Sequence, residues 1–183
     1  METSSSIFTI RRIDHTGITV ARLDDHLGFW VGVFGFKHLY TTTFPNNPFI
    51  ENVVGVSGAA LRLAMLEAPG HFIELLEYTA PDSRSTMKPR SCDVGSVHLA
   101  FEVDDLDGIL ARIKRWGWNP VGTPQTVEEG DRAGLRLAYV RGPDGVTLEL
   151  PQFAFLDRHA SLDGRTGRET SSMHYAIQAA PPG

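Results

Sequence analysis

The front of the chain alternates apolar and polar positions and then changes to helical spacing. Residues 13–20, IDHTGITV, alternate in this way and predict a strand. Leu23, Leu27 and Trp30 then recur at intervals of four and three residues, as on one face of an amphipathic helix. Gly35 is placed to end that helix in the left-handed conformation that glycine adopts most readily. The chain therefore opens with a strand followed by a helix.

A second strand with the same alternation begins in the middle of the chain. Residues 97–103, VHLAFEV, predict a strand whose Val97, Leu99 and Phe101 face a helix. His98 then lies on the opposite face of the strand, where an apolar core does not explain it.

A shift of 83 residues superposes the two halves of the chain. It places His15 on His98 and Leu23 on Leu106, and residues 106–116 again show helical spacing. Self-similarity over this length indicates an internal repeat. The residues placed to cap the second helix are Asp104 or Asp105 at its start and Gly117 at its end.

Three further strands are predicted after each helix, so each copy is a βαβββ module. They cover residues 37–43, 61–66 and 71–78 in the first copy, and 120–126, 135–141 and 146–151 in the second. The predicted fold class is α+β with two tandem modules. An insertion at residues 45–60 distinguishes the first copy, and we expect it to overhang a pocket.

Shifts in composition give the remaining boundaries. The predicted units are an N-terminal tail (1–8), a first module (9–80), a linker (81–93), a second module (94–155) and a polar C-terminal tail (156–183). No chemistry is assigned to either tail.

Composition restricts the class of partner. The 183 residues are 42% hydrophobic, enough to bury a core, and the net charge of −5 does not supply the basic field that nucleic-acid binding uses. Cys92 is the one cysteine, and no segment approaches the length of a membrane span. These features predict a cytoplasmic protein that binds a small molecule and neither nucleic acid nor membrane.

Each predicted module carries a histidine in its first strand and a glutamate in its last. The pairs are His15 with Glu74 and His98 with Glu149. Strand alternation places the two histidines and Glu149 on the face away from the helix, whereas Glu74 lies in a run that is apolar on both faces. Two imidazoles and two carboxylates that converge form a site for a divalent first-row metal ion. The ion cannot be chosen among Co, Ni, Mn, Fe, Zn and Mg from these donors.

A purely structural interpretation competes with the metal site. A single histidine or glutamate on a strand is usually a solvated or hydrogen-bonded residue, whereas four at equivalent places of a repeat favour a shared function. For Trp30, Trp116, His26, Arg62 and Arg136 the structural interpretation is preferred.

The motifs DHTGITVARLDDHLGFW, IELLEY, GSVHLAFEVDDLD and PDGVTLEL together resemble the vicinal oxygen chelate superfamily over residues 13–152. That superfamily includes glyoxalase I, methylmalonyl-CoA epimerase, extradiol dioxygenases and bleomycin-resistance proteins. The resemblance implies that the two modules form a cleft with a metal ion between them. It also implies a homodimer as a plausible assembly, because some members pair modules from different chains.

The resemblance implies several activities. IELLEYTAPDS and HLAFEVDD are most similar to methylmalonyl-CoA epimerase, which favours a metal-dependent epimerase or isomerase acting on a substrate with a carbonyl and a neighbouring oxygen. The alternatives are a lactoylglutathione lyase like glyoxalase I, a ring-cleaving extradiol dioxygenase, and a non-catalytic binding or resistance protein. Thr19 and Tyr78 stand where glyoxalase I has its glutathione-binding Arg and Asn, which counts against the lyase.

The epimerase hypothesis assigns catalytic roles to three carboxylates. A divalent ion that chelates a carbonyl acidifies the adjacent C–H, and a nearby carboxylate removes the proton. Glu149 is the first choice for this base and Glu74 the second. Glu51, in the insertion, is a candidate for the opposite face because similar epimerases have an acidic residue in that region.

Overall fold

The computed structural model describes residues 9–153, which form two sheets with the same strand order. The first module contains β1 (Thr16–Thr19), α1 (Leu23–Phe34), β2 (Lys37–Phe44), α2 (Pro48–Val54), β3 (Ala60–Ala68) and β4 (His71–Ala80). The second contains β5 (Leu99–Ala100), α3 (Leu106–Ile113), a 3₁₀ turn (Lys114–Trp116), β6 (Asn119–Pro120), β7 (Gln125–Thr126), β8 (Arg136–Arg141) and β9 (Thr147–Gln152).

The two sheets confirm the predicted α+β class. Their orders are β1-β4-β3-β2 and β5-β9-β8-β6, with β7 beside β8. In each sheet the first strand runs parallel to the last, and the other neighbours are antiparallel. The edge strands β1 and β5 are therefore equivalent, and one of the predicted histidines immediately precedes each of them.

The helix ends follow local sequence signals. Gly35 and Gly117 adopt φ of 70° and 79°, the left-handed region, and end the two helical segments as predicted. The Asp105 carboxylate accepts a hydrogen bond from the Gly108 amide and so caps α3. At the start of α1 the cap residue is Arg22, which makes no such bond.

Two predicted strands differ from the structure. Val97 is 83% exposed and does not face the helix, because Leu99 pairs with Leu148 and Val97 falls beside the turn that precedes β9. The strand predicted at residues 120–126 is broken into β6 and β7, since residues 122–124 leave the ladder around Pro124. The two predicted tails, residues 1–8 and 156–183, lie outside the described residues.

One core joins the two modules through their helices. Phe29 of α1 stacks on Trp118, with ring centroids 4.5 Å apart, and Trp30 meets Phe101 edge-on at 6.1 Å. Trp30 and Trp118 are 0% and 1% exposed. Because the helix-covered faces of the sheets meet at this core, the faces that carry the histidines and glutamates lie on the other side of each sheet.

The modules also meet at two joints, where the turn before the last strand of one module lies near the segment between the first strand and the helix of the other. A polar contact closes one of these joints. Asp144, in the turn between β8 and β9, accepts hydrogen bonds from the Ala21 amide (2.7 Å) and from His26 Nε2 (2.8 Å). The His26 and Asp144 side chains are only 6% and 15% exposed. The structural interpretation of His26 therefore corresponds to a buried tie between the modules.

The insertion contains a helix that the sequence pattern did not predict. Asn47 caps α2 by accepting a hydrogen bond from the Ile50 amide, and Gly55 ends the helix at φ 67°. Ile50 packs with Ala59 and Leu61 in a second small core. The partly buried residues that complete this core are Phe44, Val54, Val56, Leu63, Leu76 and Tyr78.

Among residues 9–153 no helix is long and apolar enough to cross a membrane.

Candidate metal site

The first histidine–glutamate pair lies at the free edge of the first sheet. Gly17 of β1 is the register partner of Glu74 in β4, and His15 stands two residues earlier on the same face. His15 Nε2 is 3.4 Å from Glu74 Oε2, and the two side chains are 36% and 18% exposed. The parallel pairing of the first and last strands thus brings together two residues that are far apart in sequence.

The second pair repeats this geometry. Ala100 of β5 is the register partner of Glu149 in β9, and His98 again stands two residues earlier. His98 Nε2 is 3.1 Å from Glu149 Oε2, with side-chain exposures of 42% and 20%. The repeat is therefore preserved in the positions of the donor atoms.

The donor atoms of each pair fit a metal ion. Two ligands at about 2.1 Å from one ion, at right to tetrahedral angles, are separated by roughly 3–3.4 Å. Both observed separations lie in this range, which is also that of a hydrogen bond. Each pair offers one imidazole nitrogen and one carboxylate to a borderline divalent ion.

A neighbouring carboxylate orients the first histidine. His15 Nδ1 is 3.0 Å from Asp14 Oδ2, and a proton on Nδ1 would be donated there while Nε2 remains directed at Glu74. Carboxylates commonly hold metal-binding histidines in this way. The hydrogen bonds from His15 and Arg12 hold the pKa of Asp14 below its ordinary value.

The structure brings together each pair but not the two pairs. Within the described residues, no three side chains of His, Cys, Asp or Glu are close enough together to hold a metal ion. The physical reason is the packing of the modules, which meet through their helix-covered faces. The cleft implied by the resemblance, with four ligands around one ion, is therefore not formed within one chain.

Tyr139 is a site residue that the sequence analysis missed. It is the antiparallel register partner of Glu149. Its hydroxyl lies 3.4 Å from His98 Nε2, and the two ring centroids are 4.9 Å apart. In the first module Met65 pairs with Glu74 instead. Strand register could have identified Tyr139 as the residue opposite Glu149. The repeat could not have identified it, because the equivalent residue of the first module is Met65.

Glu51 is engaged within the insertion. Its Oε1 accepts hydrogen bonds from Asn46 Nδ2 at 2.6 Å and from the Gly58 amide at 2.9 Å. These bonds, the one from Asn46 first, hold the pKa of Glu51 below its ordinary value. The carboxylate ties the two ends of the insertion together, and its predicted role as a base is untested.

Two arginines, for which a structural role was expected, hold the helices onto the sheets. Arg62 pairs with Asp24 and Arg136 with Asp107, at equivalent places of the repeat. The helix starts are tied in the same way: the Leu23 amide donates to the Glu77 carboxylate and the Leu106 amide to the Gln152 side-chain oxygen. These contacts hold the starts of α1 and α3 against the last strand of each sheet.

Comparison with known proteins supports the resemblance. Residues 12–150 match the glyoxalase/bleomycin resistance protein/dioxygenase superfamily. A 2-epi-5-epi-valiolone epimerase from Actinomyces is 34% identical over 75% of this chain and 77% of its own. A lactoylglutathione lyase from Neisseria meningitidis is 28% identical over 77% of this chain and 90% of its own.

A solved structure shows the same fold. A glyoxalase family protein from Bacillus cereus superposes with a TM-score of 0.68 at 24% identity, covering 82% of this chain and 99% of its own. Together with the sequence match and the repeated βαβββ topology, this places the protein: it belongs to the glyoxalase/bleomycin resistance protein/dioxygenase superfamily.

Proposed function

We propose that the protein is a divalent-metal-dependent epimerase or isomerase that moves a proton on the carbon next to a ketone. The observation that carries this proposal is the repeated His–Glu pair, with donor atoms 3.4 Å and 3.1 Å apart in the two modules. The 34% identical relative named as an epimerase supports the reaction class.

The proposed metal ligands are His15, Glu74, His98 and Glu149, with the two pairs contributed by two copies of the chain. Each pair lies on a free edge strand, β1 or β5, and a second copy could pair these edges. Apolar residues beside the two histidines are exposed to solvent: Ile13 by 78% and Val97 by 83%. A homodimer would then contain two equivalent sites.

A metal ion bound by these residues would polarise the substrate carbonyl and acidify the neighbouring C–H. Glu149 is the proposed base, since a carboxylate in a partly desolvated position can accept that proton. Glu74, brought from the other copy, would face the substrate from the opposite module and return a proton there. The Tyr139 hydroxyl, beside His98, is placed to donate a hydrogen bond to a substrate oxygen.

The proposed substrate is a hydroxylated ketone related to the cyclitol ketone named for the Actinomyces relative. The face around Glu74 suits an uncharged ring. Leu76 lies on this face two residues after Glu74 in β4, and Leu63 of β3 is its register partner. Both leucines pack against the second core under α2. Tyr78 packs into the same core.

Metal content and solvent exchange test the reaction. Purified protein should retain stoichiometric divalent metal and should incorporate deuterium from solvent next to the carbonyl of a cyclitol ketone. Chelator should abolish exchange, and added metal should restore it. A metal-free protein that shows no exchange with cyclitol ketones, CoA thioesters or hemithioacetals would contradict the proposal.

Mixing two inactive variants tests the shared site. His15→Ala and His98→Ala chains should each be inactive, whereas a mixed dimer joins the intact first module of one chain to the intact second module of the other. After random reassociation about a quarter of the wild-type activity should return. A site within one chain would give no recovery.

A lactoylglutathione lyase is the second candidate, favoured by the 28% identical lyase from Neisseria. Thr19 and Tyr78 occupy the positions where glutathione-binding residues were expected, and Tyr78 is packed in the second core. Turnover of the hemithioacetal of glutathione and methylglyoxal, in preference to ketones, would favour this candidate.

A further inference from the structure

A cavity between the modules marks a place where the repeat is broken. It has a volume of about 590 Å³ and lies where the β3–β4 turn of the first module faces the segment from β5 to α3. Its apolar lining includes Phe34, Phe36, Phe101, Val103 and Ile109, and its acidic residues are Glu102, Asp104 and Asp105.

The equivalent joint on the other side is closed. There β8 and β9 are joined by five residues, whereas β3 and β4 are joined by two, and the longer turn contains Asp144. Asp144 bonds to the Ala21 amide and to His26, leaving a pocket of about 60 Å³. In the open joint Ile109 stands where the repeat has His26, so no such polar tie can form.

The chain segment before β1 exposes two large apolar side chains to solvent. In this arm, defined as Thr9–Asp14, Ile10 is 82% exposed and Ile13 is 78% exposed. Arg11 and Arg12 stand between them and are also exposed. The arm therefore presents two large aliphatic side chains and two arginines, one of which, Arg12, pairs with Asp14 at 2.6 Å. Its apolar side chains and its net positive charge complement the apolar floor and three carboxylates of the cavity.

Symmetry relates the arm to the cavity. If β1 of one copy meets β5 of another, equivalent edges of equivalent modules face each other, which requires a local two-fold axis. Only an axis perpendicular to the sheets keeps the His–Glu pair of each module on the same face of the joined sheet. A two-fold rotation about this axis reverses the strand direction, so β1 of one copy runs antiparallel to β5 of the other. Residues before His15 then run beside residues after His98.

Counting from the two histidines places the arm at the cavity. With His15 opposite His98, residue 13 lies opposite residue 100 and residue 10 opposite residue 103. Residues 100–105 are the segment of the second module that lines the cavity. With this pairing, the arm of one copy would reach the cavity of the other.

We propose that Thr9–Asp14 of one copy docks in the cavity between the modules of a second copy, with Ile13 beside Ala100 and Ile10 beside Val103, both of which line the cavity, and with Arg11 and Arg12 near its carboxylates. This rests on the proposed function in that it uses the same pairing of β1 with β5. The arm would hold His15 and Glu74 next to the partner's half of the site.

Cross-linking of full-length chains tests the contact directly. Ile13→Cys in one tagged chain and Ala100→Cys in a differently tagged chain, both with Cys92→Ser, should be joined by a short bis-maleimide linker. The matched control replaces Ala100→Cys by Val53→Cys, an equally accessible position on α2 that is 66% exposed. Equal cross-linking in both mixtures, or none in the first, would overturn the proposal.

Sedimentation at a series of concentrations gives the second readout. Ile10→Asp with Ile13→Asp should raise the dimer dissociation constant about 100-fold or more, because two buried aliphatic side chains are lost from the contact. Phe49→Asp with Val53→Asp, which alters exposed residues of α2, should change it less than about 3-fold. Similar effects from both pairs of changes would contradict the arm contact.

Charge reversal separates this proposal from the proposed function. Arg11→Glu with Arg12→Glu should weaken the dimer, and Glu102→Lys with Asp104→Lys in the same chain should restore it. Metal content is measured alongside. A metal-loaded dimer insensitive to all arm variants would reject the arm and leave the enzyme proposal standing. A dimer that depends on the arm but contains no metal would support the arm contact and reject the enzyme proposal.

Discussion

The two modules share a skeleton but differ around the site. Both have the same strand order, a His–Glu pair joined by parallel edge strands, and an arginine–aspartate tie from sheet to helix. The first adds α2 and a second apolar core over its open face, and the second places Tyr139 beside its pair. Ligand positions have thus stayed with the repeat, whereas the surroundings that would contact a substrate have diverged.

The joints between the modules differ as well. The joint at His26 is closed by Asp144, and its counterpart at Ile109 is an open cavity. The longer β8–β9 turn accounts for this difference, because its Asp144 supplies a carboxylate within hydrogen-bond distance of the Ala21 amide and His26. Equivalent surfaces of a repeat can therefore take on a structural role on one side and stay available on the other.

The largest effect is expected from changing the carboxylates of the pairs. Glu149→Gln should lower kcat by about 10²–10⁴-fold while leaving the fold intact, because the amide can neither accept the proton nor ligate as strongly. Glu74→Gln tests whether the first module contributes equally. Deuterium exchange and metal content measure both, and unchanged turnover in Glu149→Gln would remove the proposed mechanism.

Breaking the closed joint should cost stability. Asp144→Ala leaves the Ala21 amide and His26 Nε2 without their buried acceptor and should lower the free energy of unfolding by about 1–3 kcal/mol. The control is Asp24→Ala, which breaks the ion pair between the exposed Asp24 and Arg62. This change should lower the free energy of unfolding by at most about 1 kcal/mol. Urea denaturation measures both, and equal losses would show that the joint does not hold the modules together.

The helix starts offer a smaller contrast. Asp105→Ala removes the side-chain cap of α3 and should cost about 1 kcal/mol. At the equivalent start of α1, Arg22 makes no cap bond, so Arg22→Ala should be nearly neutral. Thermal denaturation of the two variants side by side would detect the difference, and a larger loss in Arg22→Ala would be inconsistent with it.

The smallest effect concerns the insertion and depends on pH. Because hydrogen bonds from Asn46 and the Gly58 amide depress the pKa of Glu51 below 4.5 in the folded state, its ionised form adds stability above that pH. This contribution is lost as the pH falls through the folded-state pKa. Wild type should therefore exceed Glu51→Gln slightly in stability at neutral pH, and the two should converge in acid.

Turnover of the same variant addresses the candidate base. If the Glu51 carboxylate serves only to close the insertion, Glu51→Gln should retain nearly all of its kcat. A loss comparable to that of Glu149→Gln would instead establish Glu51 as a second catalytic carboxylate.

Much of the fold was predictable because its signals are local. Alternation and helical spacing gave both modules, and Gly35, Gly117 and Asp105 marked helix ends through backbone conformation and capping. The short helix α2 was missed, since its seven residues present too few apolar positions for a periodic signal. Val97 was assigned to the wrong environment because strand alternation does not reveal where a neighbouring strand begins.

The sequence by itself determined the repeat, the two histidines and glutamates, and the strand faces that carry them, because side-chain direction follows from chain periodicity. Only the tertiary structure decided that each histidine meets the glutamate of its own module and that the two pairs stay apart within a chain. That outcome depends on which faces bury the aromatic core, a competition between surfaces distant in sequence that no local pattern records.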